Sequence, residues 1–363
     1  MGVDQAAVAA VADRFCAGPV GGVERQPGGH IHQTWVVTTR YGNFVLQRLN
    51  DQVFPNCAQV MENLVRVVVH LERRITKTRL PEPERRVLRP IRSGGGSVLV
   101  YDNHGPWRAF RHVDRVRSHD VVTCPEAAFQ VGRGLGRFFD DVQDLPGARL
   151  REPIPGFKDF TRRRHDFELV VEADPAERAK GCKREIDGVR RYHPLVDDLV
   201  GAKAAGRLRE RVVHNDAKAA NVLLDQTTGE AMCVVDLDTV GPGTVLYDVG
   251  DLLRSATVAF GTNGDSGAPV VRADLLEAAL RGYLREAGLL LTADELALLP
   301  LAGPLMAYES ALRFLTDHLV GDMYFRVRRP GDNLERARAQ LWVLDGLLQA
   351  SGRVAEVVRQ AAK

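Results

Sequence analysis

The chain has 363 residues and a formal net charge of +2, from 49 Lys and Arg against 47 Asp and Glu, so no overall field calls for nucleic acid or a membrane surface as partner. At 45% hydrophobic and 26% charged residues the composition is that of an ordinary globular protein, long enough for two lobes with separate cores. Five scattered cysteines, Cys16, Cys57, Cys124, Cys182 and Cys233, with no C-x-x-C spacing, argue for reduced thiols and against structural zinc. The opening MGVDQAAVAAVADRF reads as an amphipathic helix rather than a signal peptide, and no run of about 18 apolar residues offers a membrane span. A cytoplasmic location is the expectation, with monomer and dimer both open. Arg162–Arg164 and Arg326–Arg329 read as solvated faces, with phosphate sites as the alternative.

After the first helix, Thr34–Thr38 and Asn43–Arg48 form an expected hairpin around the polar turn Arg40–Gly42. A helix pattern follows from Ala58 to Arg74, with Val60, Leu64, Val67, Val68 and Leu71 on one side. Ser97–Tyr101 and Trp107–Val113 make a second hairpin around Asp102–Gly105. From Pro125 the balance turns helical, with helices expected at Glu126–Val142, Ala273–Ala287, Ala293–Leu299, Pro304–Leu319 and Leu334–Gln349. The fold class is α+β in two lobes, a small β-rich N-lobe of residues 1–114 and a larger, mostly helical C-lobe of residues 115–363, with a cleft between them as the natural ligand site.

One island of strands interrupts the helical lobe. Asn221–Leu224 and Met232–Val235 flank the turn Asp225–Glu230 as a short buried hairpin. Just before it, His214, Asp216 and Asn221 match H-x-D-x-x-x-x-N. That spacing lets a loop present Asp216 as base to a hydroxyl while Asn221 turns an amide oxygen toward a phosphate-bound Mg²⁺, and Asp236, ending the returning strand, reaches the same metal. Asp238 is a second metal candidate, with a loop-stabilising carboxylate as the alternative, and Lys218 lies where an ammonium approaches the transferred phosphoryl group. The pattern points to phosphoryl transfer from ATP to a small molecule.

The nucleotide side is less specific. Gly28 and Gly29 precede the first hairpin and suit close approach of backbone to phosphate, or simply a turn. The segment joining the lobes, Phe110, Arg111 and His112 through Asp114, is placed to pair its backbone with adenine. Gly132-x-Gly134-x-Gly136 sits inside a helical pattern and reads as close helix packing, not as a dinucleotide fingerprint.

With HNDAKAAN at 214–221, VVDLD at 234–238 and the two-lobe order, the chain resembles the aminoglycoside phosphotransferase and choline kinase superfamily, which has the protein-kinase-like fold. Within it, GGHIHQTWVVTT, DTVGPG and GDMYF are most similar to the N-acetylhexosamine 1-kinases. The resemblance implies transfer of the ATP γ-phosphate to the anomeric hydroxyl of GlcNAc or GalNAc, with Asp216 as base, Asn221 and Asp236 on Mg²⁺, and His30, Arg313 and Tyr324 at the sugar. It also exposes a departure: the strand lysine usual in the superfamily is Gln47 here, and Glu62 on the following helix loses its ion-pair partner. Arg48 and Lys218 are the candidates to compensate.

Glu309, Arg313 and Asp317 recur every four residues, so they share one helix face, as a surface ion-pair ladder or a wall for sugar hydroxyls. Residues 271–340 hold ten acidic and nine basic residues, a balance that suits a neutral sugar better than a polycation. Other acceptors (a hexose, glucosamine, an aminoglycoside, a choline-like alcohol) and a non-catalytic nucleotide-binding module are the alternatives.

Overall fold

The computed structural model describes residues 3–15, 18–26, 31–259 and 269–361. Helix α1 (Gln5–Asp13) is capped by Asp4, whose carboxylate accepts the Ala7 N–H at 2.7 Å. Strands β1 (Val20–Arg25), β2 (Gln33–Thr39) and β3 (Gly42–Arg48) follow, then helix α2 (Cys57–Thr78), β4 (Pro90–Ile91), β5 (Val100–Asp102) and β6 (Gly105–Arg111). Their sheet runs β1-β2-β3-β6-β4, with β5 also paired to β6.

Side-chain alternation along β3 and β6 positions the site. Phe44 and Leu46, with Trp107 and Ala109, join Val8, Val11 and Phe15 in a core on the α1 side. Val45 and Phe110 point the other way, onto Met61, Leu64 and Val68 of α2. Gln47 and Arg108 therefore share the α2 face, whereas Arg48 faces away from it.

Helix α2 runs beyond the expected Ala58–Arg74, stopping at Arg79 in the left-handed region with φ 52°. Most of its directional side-chain bonds go to the following lobe, while Glu72 pairs with Arg89, just before β4, at 2.8 Å. Gln59 Nε2 donates to Glu152 O at 2.9 Å, Asn63 Nδ2 to Arg151 O at 2.8 Å, and Arg66 to Ala148 O at 2.7 Å. Arg74 spans Asp140, Asp141 and Asp144 at 2.9–3.2 Å.

The second lobe contains β7 (Val116–Arg117), α3 (Pro125–Val142), α4 (Phe160–Ala173), α5 (Lys183–Arg191), α6 (Pro194–Ala204), β8 (Arg211–Val213), β9 (Val222–Asp225), β10 (Ala231–Val234), β11 (Gly241–Gly243), α7 (Val245–Ala256), β12 (Val258–Ala259), β13 (Val270–Val271), α8 (Ala273–Ala287), α9 (Ala293–Leu319), α10 (Asp332–Gln349) and α11 (Ser351–Ala361). A three-stranded sheet β10-β9-β7 and the pair β11-β8 lie among the helices. The result is the α+β architecture expected, a sheet-rich N-terminal region beside a larger helical one. No helix of the described residues is long and apolar enough to cross a membrane.

One expectation is corrected. Ala293–Leu299 and Pro304–Leu319 are not separate helices but one 27-residue α9, with Pro300 and Pro304 inside it. A proline interrupts one helical hydrogen bond, but burial holds the axis together here. Ala302, Gly303, Pro304, Leu305, Met306, Ala307 and Tyr308 are all buried, and Gly250 of α7 meets the Ala302 carbonyl so closely that a Cβ there would lie 2.3 Å from it.

The glycines of α3 pack as expected. A Cβ on Gly132 would lie 1.9 Å from Ala279 O of α8, and one on Gly136 would lie 2.4 Å from Tyr283 O. Gly132→Ala should therefore lower stability by about 3 kcal/mol or more, through overpacking against backbone. Gly201→Ala, where no atom lies within 4 Å of the new Cβ, should instead raise it by roughly 0.5–1 kcal/mol. Denaturant titration of both variants checks the contrast.

Candidate active site

The loop between β8 and β9 carries Asp216. Asp248, near the start of α7, accepts the His214 N–H at 2.8 Å on one oxygen and the Asn215 N–H at 2.9 Å on the other. Asn215 takes the left-handed conformation, φ 63°, and its Nδ2 donates to Thr239 O at 3.0 Å. Burial pushes the Asp248 carboxyl up to about 6, against the pull of His214 and the two N–H groups.

His214 is fully buried. Its Nε2 lies 3.0 Å from Val235 O, and its ring meets Phe138 edge-on at 5.5 Å. This departs from the expected catalytic group: the side chain ties the loop to the strand end before Asp236 and does not face the cleft. Val235 N–H donates to Asn221 O at 2.9 Å, so the loop and the hairpin of β9 and β10 are joined at both ends.

Asp216, Lys218, Asn221 and Asp236 converge in the cleft. Lys218 Nζ lies 2.7 Å from Asp216 Oδ2 and 3.9 Å from Asp236 Oδ2. Asn221 Nδ2 donates to Asp216 O at 2.9 Å and to Asp216 Oδ2 at 3.3 Å. Burial works against ionisation of Asp216, but Lys218 outweighs it and holds the carboxyl below its ordinary range. Burial raises the Asp236 carboxyl, helped by Asp238 and Asp216 and opposed by Lys218. Asp236 is left-handed, φ 62°, which turns the chain out of β10 into the cleft.

Asp238 does not share that opening. Both its oxygens are bound by Arg108, the Nη2–Oδ2 contact being 2.6 Å, and Oδ2 also meets His32 Nε2 at 2.8 Å. The expected second metal ligand is a loop-holding carboxylate, because its lone pairs face a guanidinium and an imidazole.

On the helical side, Arg313 of α9 lies 3.5 Å from buried Glu309, and its guanidinium stacks near Phe157, Tyr324 and Phe325 at 5.1–5.4 Å. Arg163 approaches Glu309 at 3.6 Å, and Lys158 approaches Asp251 at 3.8 Å. Arg254 pairs with Asp251 at 2.9 Å. Burial raises Glu309, but Arg313, Lys158, Arg163 and Arg254 together bring it below its ordinary range. Lys158 helps to lower the Asp216 carboxyl, and Asp216 helps to raise Arg313, so this wall lies within electrostatic reach of the Asp216 loop.

Asp317 departs from the expected sugar contact. Its oxygens accept the N–H groups of Tyr324 at 2.7 Å and Phe325 at 2.9 Å, and Asn333 Nδ2 at 2.9 Å. It shapes the loop that presents Tyr324. At the junction, Phe110 is buried under α2, Arg111 N–H donates to Arg89 O at 2.9 Å, and His112 Nδ1 meets Asp114 at 2.7 Å. Gly28, Gly29 and His30 lie outside the described residues.

The profile of the phosphotransferase enzyme family matches residues 22–291. The chain belongs to that family. Among solved structures, a spectinomycin phosphotransferase in complex with ADP and spectinomycin superposes at TM-score 0.56 with 11% identity, over 100% of this chain and 99% of that one. An aminoglycoside phosphotransferase from Alicyclobacillus acidocaldarius gives 0.56 and 14%, over 100% and 97%. A choline kinase from Cryptosporidium parvum gives 0.54 and 12%, over 97% of each chain. At these identities the likeness establishes the shared kinase-like fold.

Sequence reasoning missed Lys158, Asp251 and Arg254 and placed Arg163 on a solvated face, whereas it lies partly buried against Glu309; the four come from a loop and two helices and carry no common spacing. It also missed Asp248, although its place in the YDVGD run beside the loop motif was a usable signal. Removing Asp248 leaves two buried N–H groups unpaired, at about 1–3 kcal/mol each. Asp248→Ala should speed amide hydrogen exchange at His214 and Asn215 well before global unfolding, as read by exchange mass spectrometry.

Proposed function

We propose that this phosphotransferase is an ATP- and Mg²⁺-dependent sugar kinase that places the γ-phosphate on the anomeric hydroxyl of an N-acetylhexosamine, GlcNAc or GalNAc, giving the sugar 1-phosphate. The observation that carries the transfer chemistry is the convergence of Asp216, Lys218, Asn221 and Asp236 in one cleft, with Lys218 between the two carboxylates. ADP in the spectinomycin phosphotransferase complex supports the use of a nucleotide by this chain.

Asn221 and Asp236 fit a magnesium ion. The Asn221 amide nitrogen is spent on Asp216, which leaves Oδ1 as the coordinating atom. The Asp236 carboxylate is 42% exposed and accepts no hydrogen bond from the described residues. Magnesium takes one or two protein oxygens and completes its shell with phosphate and water, and when bound it supplies neutralisation of the phosphoryl charge. Asp216 orients the acceptor hydroxyl and receives its proton. A carboxyl held this acidic serves a loose transition state, in which little proton transfer precedes bond breaking. Lys218 keeps Asp216 ionised and is near enough to Asp236 to meet the incoming phosphoryl oxygens.

The wall around Glu309 supports a neutral acceptor. Lys158, Arg163, Arg254 and Arg313 surround two carboxylates, Glu309 and Asp251, so the local excess is positive and disfavours an aminoglycoside or choline cation. Arg313 with its three rings offers a flat face suited to a pyranose.

ADP release should be measured across N-acetylhexosamines, glucosamine, hexoses, choline and aminoglycosides, with the N-acetylhexosamines expected to lead. A 1-O-methyl glycoside should be inert; its phosphorylation would rule out anomeric transfer. Asp216→Asn should lower kcat about 10²- to 10⁴-fold, and unchanged turnover would remove Asp216 as base. Arg313→Ala should raise KM for the sugar by about tenfold or more while leaving KM for ATP unchanged, a split that separates acceptor binding from nucleotide binding.

A further inference from the structure

In the protein-kinase fold a lysine on the third strand pairs with the nucleotide phosphates and with a glutamate of the next helix. Both halves of that arrangement are missing here: residue 47 is a glutamine, and Glu62 of α2 is exposed. Arg48 cannot substitute, because it faces away from the cleft and donates to His104 O.

Directly opposite Gln47, in register on β6, stands Arg108. Its side chain is 2% exposed. Nε and Nη2 donate to Gln47 Oε1 at 3.0 and 2.8 Å, and Gln47 Nε2 is fixed in turn by Thr34 Oγ1 at 3.2 Å. Nη1 and Nη2 grip the two oxygens of Asp238. The Nδ1 of His32 accepts the Asn50 N–H at 3.0 Å, so its Nε2 carries the proton donated to Asp238. Four side chains from β6, β3, the segment before β2 and the loop after β10 thus close one buried, charge-balanced cluster two residues from Asp236.

We propose that Arg108 is a positioning residue for the phosphate side of the site. It carries on β6 the cation that the fold ordinarily carries on β3, and through Asp238 it fixes the loop bearing Asp236 against the nucleotide lobe. Every nitrogen of its guanidinium is already engaged, Nη1 also facing Met61 Sδ at 3.7 Å, so Arg108 acts through Asp238 and not as a free phosphate donor. Gln47 is the neutral acceptor that this relocation requires. A lysine there would set two cations face to face across adjacent strands, a destabilising pair.

The inference rests on the reading of Asp236 as metal holder, and its test uses binding by the full chain rather than turnover. Affinities for MgADP and for adenosine are measured by titration calorimetry. In Arg108→Met, MgADP affinity should fall about tenfold or more while adenosine affinity stays within about twofold. Gln47→Lys alone should also weaken MgADP. The double variant Q47K/R108M should recover most of the loss, because the ammonium introduced on β3 then pairs with Asp238. A folded Arg108→Met with an unchanged MgADP-to-adenosine ratio overturns the proposal, as does a Gln47→Lys protein that binds MgADP as well as the parent. Should Arg108→Met fail to fold, the double variant decides: folded and binding MgADP supports the relocation, folded without binding rejects it. Should that fail too, Gln47→Lys is read alone. A parent protein that binds no MgADP would instead overturn the kinase reading itself.

Discussion

Asp248 holds two consecutive backbone N–H groups, one on each oxygen, and the geometry of the cleft follows from that grip. A chain entering from β8 would otherwise continue extended past His214. Pinned there, Asn215 takes a left-handed turn, and Asp216 emerges on the open side while His214 folds inward onto Val235. The same inward histidine sets the end of β10, so the position of Asp236 is coupled to that of Asp216 through buried groups and not through the solvent-facing pair itself. A carboxylate in this position sits at the edge of what burial permits, because the interior penalises its charge while both its ligands require it.

Charge in the cleft is paired. Asp216, Lys218, Asp236, Asp238 and Arg108 form a row in which each carboxylate has a cation beside it, but the pairings differ in exposure. Arg108 with Asp238 is sealed, and its role is placement. Lys218 with Asp216 and Asp236 is open to solvent, with about a third of each of the first two side chains accessible. On the proposed reading, holding the lobes together and meeting the phosphoryl group, joined in one strand lysine elsewhere in the fold, belong here to two residues.

The loop and hairpin were legible in the sequence because their signals are local. A motif of fixed spacing, two apolar runs and a polar turn occupy fewer than thirty consecutive residues. The packing role of Gly132 and Gly136 was legible for the same reason, from glycine at helical spacing without a preceding strand. The wall around Glu309 was only half legible. Arg313 and Glu309 share a helix, whereas Lys158, Arg163 and Asp251 reach them from three other segments. Asp238 and Asp317 were recognisable as carboxylates near the site, yet their donors arrive from β6 and from the loop after α9, and no pattern in one chain announces a donor 130 residues away. Pro300 and Pro304 misled because local backbone preference was outweighed by the burial of the helix around them.

Helix α2 has a mechanical consequence. It lies under the N-terminal sheet in sequence order, but its hydrogen bonds and ion pairs, through Gln59, Asn63, Arg66 and Arg74, run to the other lobe. Toward the sheet it offers mainly Met61, Leu64 and Val68 against Val45 and Phe110, with the Glu72–Arg89 ion pair at 2.8 Å as the directional contact. Directional bonds resist shear more than apolar faces do, so α2 is tied by more such bonds to the helical body than to its own sheet. Any movement of the sheet over α2 would therefore have to break two ion pairs, Glu72 with Arg89 and Arg108 with Asp238.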